Sequence, residues 1–175
     1  MTPAQSSNLT KDVDPVNPVI LITGASRGIG AATALQAARA GYSVVVNYQS
    51  NTSAADVVVQ HIRALGAMAL AVQADVAIEE QVLAMFATID AQLGPLRALV
   101  NCAGVVDVAS RVDAMTVARL KRMFDTNVIG SVVCAREAVQ RMSTRGGCHR
   151  ESLQRGCEAG QSQPVRGLCR QQRSH

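Results

Sequence analysis

The sequence predicts an α/β fold, a doubly wound parallel sheet with helices on both faces. Three observations carry this. Short apolar runs alternate with helical periodicities through residues 18–142. Glycine turns separate them, which suits parallel strands joined by helical crossovers. Apolar residues make up 48% of the chain and aromatics only 2%, so alanine and valine carry the core, as close packing of helices on buried strands requires.

Taken in order, Pro18–Thr23 is an apolar run ending in a glycine-rich turn, a buried first strand. Gly28–Ala40 is a helix stopped by Gly41. Tyr42–Tyr48 is β-branched and forms a second strand. Asn51–Leu65 is a helix with Ala55, Val58, Ile62 and Leu65 on one face, ended by Gly66. Met68–Ala74 is a third strand. Ile78–Leu93 is a helix with Val82, Phe86, Ile89 and Leu93 inward, broken by Gly94-Pro95. Leu96–Asn101 is a fourth strand. Val112–Arg122 and Thr126–Met142 are two further helices. After Ser143 neither period persists, and the composition predicts a disordered tail without a strand. The organisation is therefore a disordered leader over residues 1–17, a domain of about four strands over 18–147, and a tail over 148–175.

Charge and composition exclude several functions. The net charge is +4, yet residues 1–144 hold eleven basic and eleven acidic side chains. Residues 145–175, with six arginines and two glutamates, supply the whole excess, so the domain has no basic face for nucleic acid. The nucleic-acid reading would rest on the tail alone. No segment is long and apolar enough to span a membrane. The leader lacks the apolar stretch of a signal peptide, which predicts a cytoplasmic protein. Among the five cysteines, Cys102 and Cys134 sit in apolar surroundings and are expected to be buried thiols. Cys148, Cys157 and Cys169 form no compact metal-ligand pair with His149, so no metal site is expected. His61 is expected at the surface, and Arg119, Lys121 and Arg122 on a solvated helix face.

The strongest functional signal is Thr23-Gly24-Ala25-Ser26-Arg27-Gly28-Ile29-Gly30, placed between a strand and a helix. Glycines there permit a tight turn and let backbone N–H groups approach a pyrophosphate at the helix N-terminus. Ser26 could bond a phosphate or cap the helix. The segment resembles the Gly-x-x-x-Gly-x-Gly loop of the short-chain dehydrogenases/reductases. Three further segments resemble that family in order: Asp75-Val76 after the third strand, Asn101-Cys102-Ala103-Gly104 after the fourth, and Asn127 in Phe124-Asp125-Thr126-Asn127. The resemblance implies a Rossmann-like fold. It implies a cofactor site of Gly24, Ser26, Arg27, Gly28, Ile29, Gly30, Asn47, Tyr48, Asp75, Val76, Asn101, Ala103 and Gly104. It makes Asn127 a catalytic residue. It further implies a small carbonyl or alcohol substrate and a homo-oligomeric intact enzyme, among sugar-dehydrogenase or 3-oxoacyl-carrier-protein reductase relatives.

The cofactor follows from charge. An acid ending the second strand would hold the ribose 2′-hydroxyl of NAD and repel a 2′-phosphate. That strand ends Asn47-Tyr48-Gln49-Ser50, without an acid, and Arg27 offers a guanidinium. NADP is favoured, with NAD possible.

The family's chemistry uses a Tyr as proton donor or acceptor, a Lys four residues later to lower its pKa, and a Ser to position the substrate carbonyl. No Tyr follows Tyr48 and no Lys follows Lys121. Reading the codons open to Cys148–His175 one nucleotide later permits a run with adjacent serines and then Tyr-Val-Asp-Tyr-Ala-Ala-Ser-Lys, although many middle bases are free. The expectation is a shifted frame beginning near Arg145-Gly146-Gly147. The chain as written would be inactive and poorly soluble, with the fourth strand left as a bare edge. The alternative is a non-catalytic dinucleotide-binding module.

Overall fold

A computed structural model describes residues 17–142 and the backbone of 148–151. The leader expected over 1–17 and the tail beyond 151 lie outside the described residues, Asn17 excepted.

The first four strands are β1 (Val19–Thr23), β2 (Ser43–Tyr48), β3 (Ala69–Gln73) and β4 (Leu96–Asn101). Between them run α1 (Gly28–Arg39), α2 (Thr52–Ala64) and α3 (Glu79–Gln92). The sheet is parallel, in the order β3-β2-β1-β4-β5, where β5 is Cys148–Glu151. This is the Rossmann-like order. The chain winds outward from β1 through β2 to β3, then returns to the other side of β1. A crevice therefore opens between the C-terminal ends of β1 and β4.

Both faces of the central strands are covered, which is why β1 and β2 are buried along their whole lengths. Ile20, Ile22, Val44 and Val46 pack under α1 and α2 with Ala34, Ala38, Ala55, Val58 and Ile62. Val19, Leu21, Val45 and Leu99 face the other way and pack with Val82, Met85, Phe86 and Ile89 of α3. Each large fully buried side chain contributes about 1.5–3 kcal/mol. Alanines on α1 let that helix lie close to the sheet. The inward faces expected of α2 and α3 are found, except that Leu65 is exposed, Val59 and Met85 join the core, and Leu93 is only partly buried.

Two expectations need correction. The first concerns the helices after β4. Val112–Ala114 is a single 3-10 turn, and Met115 is extended. The helix begins after Thr116, whose hydroxyl accepts from the Arg119 N–H at 3.3 Å. It then runs unbroken as α4 (Val117–Phe124), a π-helical segment (Asp125–Gly130) and α5 (Ser131–Met142). Asp125-Thr126-Asn127 suggests a break because these residues favour the helix interior weakly. Helical dihedrals nevertheless continue through Phe124, Asp125 and Ser131. The extra residue is absorbed by the wider π turn, a feature frequent at functional sites.

The second concerns the sheet edge. Cys148–Glu151 pairs in parallel with β4, Ala98 opposite Cys148 and Asn101 opposite Glu151. Strand pairing uses backbone groups and needs no apolar period, so composition did not reveal it. β4 is therefore not a bare edge along these residues.

Candidate functional site

The strand ends build a cleft of about 410 Å³. Gly24, Ser26, Arg27, Gly28, Ile29 and Gly30 line it after β1. Asn47 and Tyr48 enter from β2, Asp75 and Val76 from beyond β3, and Ala103 and Gly104 from beyond β4. Of the residues singled out in the sequence, the structure brings all but Asn101 and Asn127 to this wall. It adds Gln49, Ser50, Asn51, Ala74, Cys102, Val105 and Thr126.

The glycine loop is shaped by close backbone approaches. Gly24 has φ 62°, and a Cβ on it would lie 2.7 Å from Ala103 Cα. A Cβ on Gly30 would lie 2.5 Å from the Gly24 oxygen. The loop thus touches β4's extension on one side and folds against its own helix on the other. Gly28, at φ 57°, meets nothing within 4 Å. Space is open where a side chain would stand.

The N-terminus of α1 faces that space. Its N-cap is Arg27, extended at φ −158°, with no side-chain capping bond and no acid in the first turn. Ser26 therefore does not cap the helix. The first-turn N–H groups and the positive end of the helix dipole are available to an anion. Arg27 and Ile29 are exposed beside them, Ile29 by 70%.

Asn47 works within the scaffold. Its amide donates to the Val72 and Ala74 carbonyls at 3.3 and 3.0 Å. Its Oδ1 accepts from the Gly24 N–H at 3.2 Å, and its backbone oxygen accepts from the Ala25 N–H at 2.8 Å. One buried carboxamide so fastens the glycine loop to β3. Asn47→Ala should cost about 2–4 kcal/mol, because buried backbone groups lose their partners. Urea unfolding would measure it, and a loss below ~1 kcal/mol would contradict the assignment.

Thr23 is a second hub, unmarked by any partner near it in the sequence. Its hydroxyl accepts from the Cys102 and Ala103 N–H groups, both at 3.1 Å, and donates to Asn101 Oδ1 at 3.5 Å. The Asn101 amide in turn donates to the Ser131 carbonyl at 3.0 Å. Asn101 thus ties β1, β4 and α5 together from behind the cleft wall. Only the position of a threonine opening the glycine loop hints at this.

Asn127 lies in the π segment. Its amide donates to the Val105 carbonyl at 2.9 Å, and its Oδ1 accepts from the Val105 N–H at 2.8 Å. The Ser131 hydroxyl donates to its backbone carbonyl at 3.2 Å. The side chain clamps the loop after β4, so in this structure it positions that loop.

At the opposite rim, Gln49 donates to Asp75 Oδ2 at 2.7 Å, and Asp75 Oδ1 accepts from the Ala77 N–H at 2.9 Å. Farther along, Asp107 is held below the usual carboxylate range by the Val108 N–H and by Arg119 and Arg122. Arg119 also donates to the Val108 carbonyl, and Arg122 to Asp107. The face expected to be solvated therefore braces this loop through two of its three cations.

The thiols differ. Cys102 is only partly buried and lines the cleft, contrary to expectation. Cys134 is buried, and burial, with the Glu137 charge, pushes its thiol up to about 12. Because the folded value lies above the unfolded one, stability from this group is complete below about 9 and is lost as pH rises toward 12. At pH 8 iodoacetamide should leave Cys134 unmodified in the native protein and modify it in urea. Modification of the folded protein, seen by peptide mass mapping, would contradict this.

A parallel 3-2-1-4-5 sheet with a glycine loop at its switch point defines a Rossmann-like α/β protein. The comparisons narrow this. A family model described as short chain dehydrogenase matches residues 18–149. The chain belongs to the short-chain dehydrogenase family. Over 129 residues it is 48% identical to an uncharacterized oxidoreductase, YgfF, of Escherichia coli (strain K12), covering 74% of this chain and 52% of that relative. It is 40% identical over 122 residues to the 3-oxoacyl-[acyl-carrier-protein] reductase FabG of Staphylococcus aureus (strain Mu50), covering 70% and 49%. Among solved structures, a short chain dehydrogenase from Burkholderia cenocepacia J2315 in complex with NADP superposes with TM-score 0.68 at 35% identity, covering 71% of this chain and 50% of the other. The chain spans about half the length of the curated relatives it matches. Among the described residues, no helix is long and apolar enough to cross a membrane.

Proposed function

We propose that the chain binds NADP in this cleft, as the cofactor-binding part of an oxidoreductase acting on a carbonyl or secondary alcohol. The observation that carries the reading is the uncapped N-terminus of α1 opening onto the free space at Gly28. A pyrophosphate fits there, accepting from first-turn N–H groups. Asp75 and Val76 would wall the adenine, and Ala103 and Gly104 would line the far ribose. The likeness to an NADP complex over half of that chain supports the same placement.

Discrimination toward NADP rests on Arg27 and on a β2 end without an acid. Arg27 would pair with the 2′-phosphate. When bound, the nicotinamide supplies the hydride donor or acceptor. The chain's own residues bind and orient it, and Asn127 holds the loop that would border the reacting end.

Proton transfer is another matter. The chain holds only Tyr42 and Tyr48, and no Lys beyond Lys121. As written it should bind without turnover, which is the behaviour of a binding module. We attribute this to a shifted frame after residue 147, so that the intact gene would encode Ser, Tyr and Lys. Likeness to FabG supports a 3-oxoacyl thioester as the intact enzyme's substrate class, beside the sugar-dehydrogenase reading. A cytoplasmic location belongs to the same proposal. So does homo-oligomeric assembly, which is supported by the exposed Val117, Phe124, Val128 and Val132 along one helix. Sequencing the gene from the codon of Met142 to that of His175, with an NADPH oxidation assay on both reading frames, tests the account. Turnover by the chain as written, or no Tyr–Lys pair in the other frame, would overturn it.

A further inference from the structure

We infer that Gly130 is a positioning residue, which joins the adenosine wall of the cleft to the loop clamped by Asn127. The inference rests on the cleft being a dinucleotide site. Gly130 is buried at the end of the π segment. A Cβ there would lie 2.7 Å from the Val76 oxygen and 3.0 Å from both the Val76 carbonyl carbon and its Cγ2. The first two of these contacts are backbone, so no rotamer change relieves them.

Neither side can yield freely. The Val76 turn is held by the Ala77 N–H on Asp75 Oδ1 at 2.9 Å, the Ile78 N–H on the Asp75 carbonyl at 3.0 Å, and the Asp75 N–H on Gln81 Oε1 at 2.7 Å. The helix is pinned from the sheet by the Asn101 amide on the Ser131 carbonyl at 3.0 Å. Three residues before Gly130, Asn127 grips Val105 through both ends of its carboxamide. Val76, Val105 and Thr126 all line the cleft. One short helical segment therefore sets the separation of two cleft walls, and packed interiors transmit such displacements.

The test uses the full chain with Gly130→Ala, and Gly66→Ala as control. Gly66 has φ 83° with open space around it, so alanine strains the backbone there without reaching the cleft. Adenosine 2′,5′-bisphosphate is the probe, titrated calorimetrically beside thermal melts. Gly130→Ala should bind about tenfold more weakly, while Gly66→Ala loses stability and keeps its affinity within about twofold. A folded Gly130→Ala protein that binds like wild type overturns the inference. A second readout needs no variant. On adding the probe to wild type, amide exchange should slow across Asn127–Ser131 as well as at Asp75–Val76. Protection at the glycine loop and Asp75–Val76 with none at Asn127–Ser131 also overturns it. Wild type that binds neither this probe nor NADPH overturns the NADP reading on which the role rests, and this role with it.

Discussion

Gly30→Ala should abolish measurable NADPH binding, lowering affinity more than about 100-fold. The added Cβ would sit 2.5 Å from the Gly24 oxygen and 2.9 Å from Ala25 Cα, both backbone atoms. Either the glycine loop lifts from α1 or the helix slides outward. Overpacking of this kind costs about 1–3 kcal/mol in stability, which a folded domain of this size survives. The geometry of the anion cradle does not, because first-turn N–H groups must converge on one pyrophosphate. Fluorescence titration against a melt of the same sample separates the two effects. A variant that melts lower yet binds normally would mean the loop does not form the site.

Arg27→Ala should weaken NADPH binding by about 10- to 100-fold and change NADH binding by less than about threefold, since a charge-assisted hydrogen bond contributes roughly 1.5–3 kcal/mol. The asymmetry matters more than the loss. Arg27 is exposed on the cleft rim, and its backbone, as the N-cap, already holds an extended conformation that alanine adopts without strain. Loss of the side chain should therefore leave the fold and the pyrophosphate cradle intact. Because the pair is partly solvated, the effect should also shrink as salt rises. Equal weakening for both dinucleotides would place Arg27 on the pyrophosphate and remove the case for NADP.

The strands were legible because a parallel sheet covered on both faces writes itself as short continuous apolar runs, and Val19–Thr23 and Ser43–Tyr48 are buried throughout. The glycine loop was legible because its spacing serves a local purpose, the turn from strand to helix. What the sequence hid depends on partners distant in the chain. Thr23 bonds to groups 78 to 80 residues away, and nothing near it marks them. Gly130 reads as an indifferent helix residue until Val76 is placed against it. Arg119 reads as solvated, yet Asp107 comes back across a loop to meet it and leaves it largely covered, while Arg122 pairs with the same carboxylate and stays exposed as expected. Asn127 was singled out through a likeness to a catalytic position, and the motif gave no sign that its carboxamide also bonds both the N–H and the carbonyl of Val105. A motif names a residue type at a place. Which atoms remain free for chemistry is settled by packing.

The central claim is that this chain binds a nicotinamide dinucleotide and prefers the phosphorylated form. Calorimetric titration of the 175-residue chain with NADPH and with NADH, at one ionic strength, tests it most directly. The titration should show one site per chain, tighter for NADPH by about tenfold or more, with NADH still competing for it. A folded chain that binds neither, or that binds NADH more tightly, would contradict it.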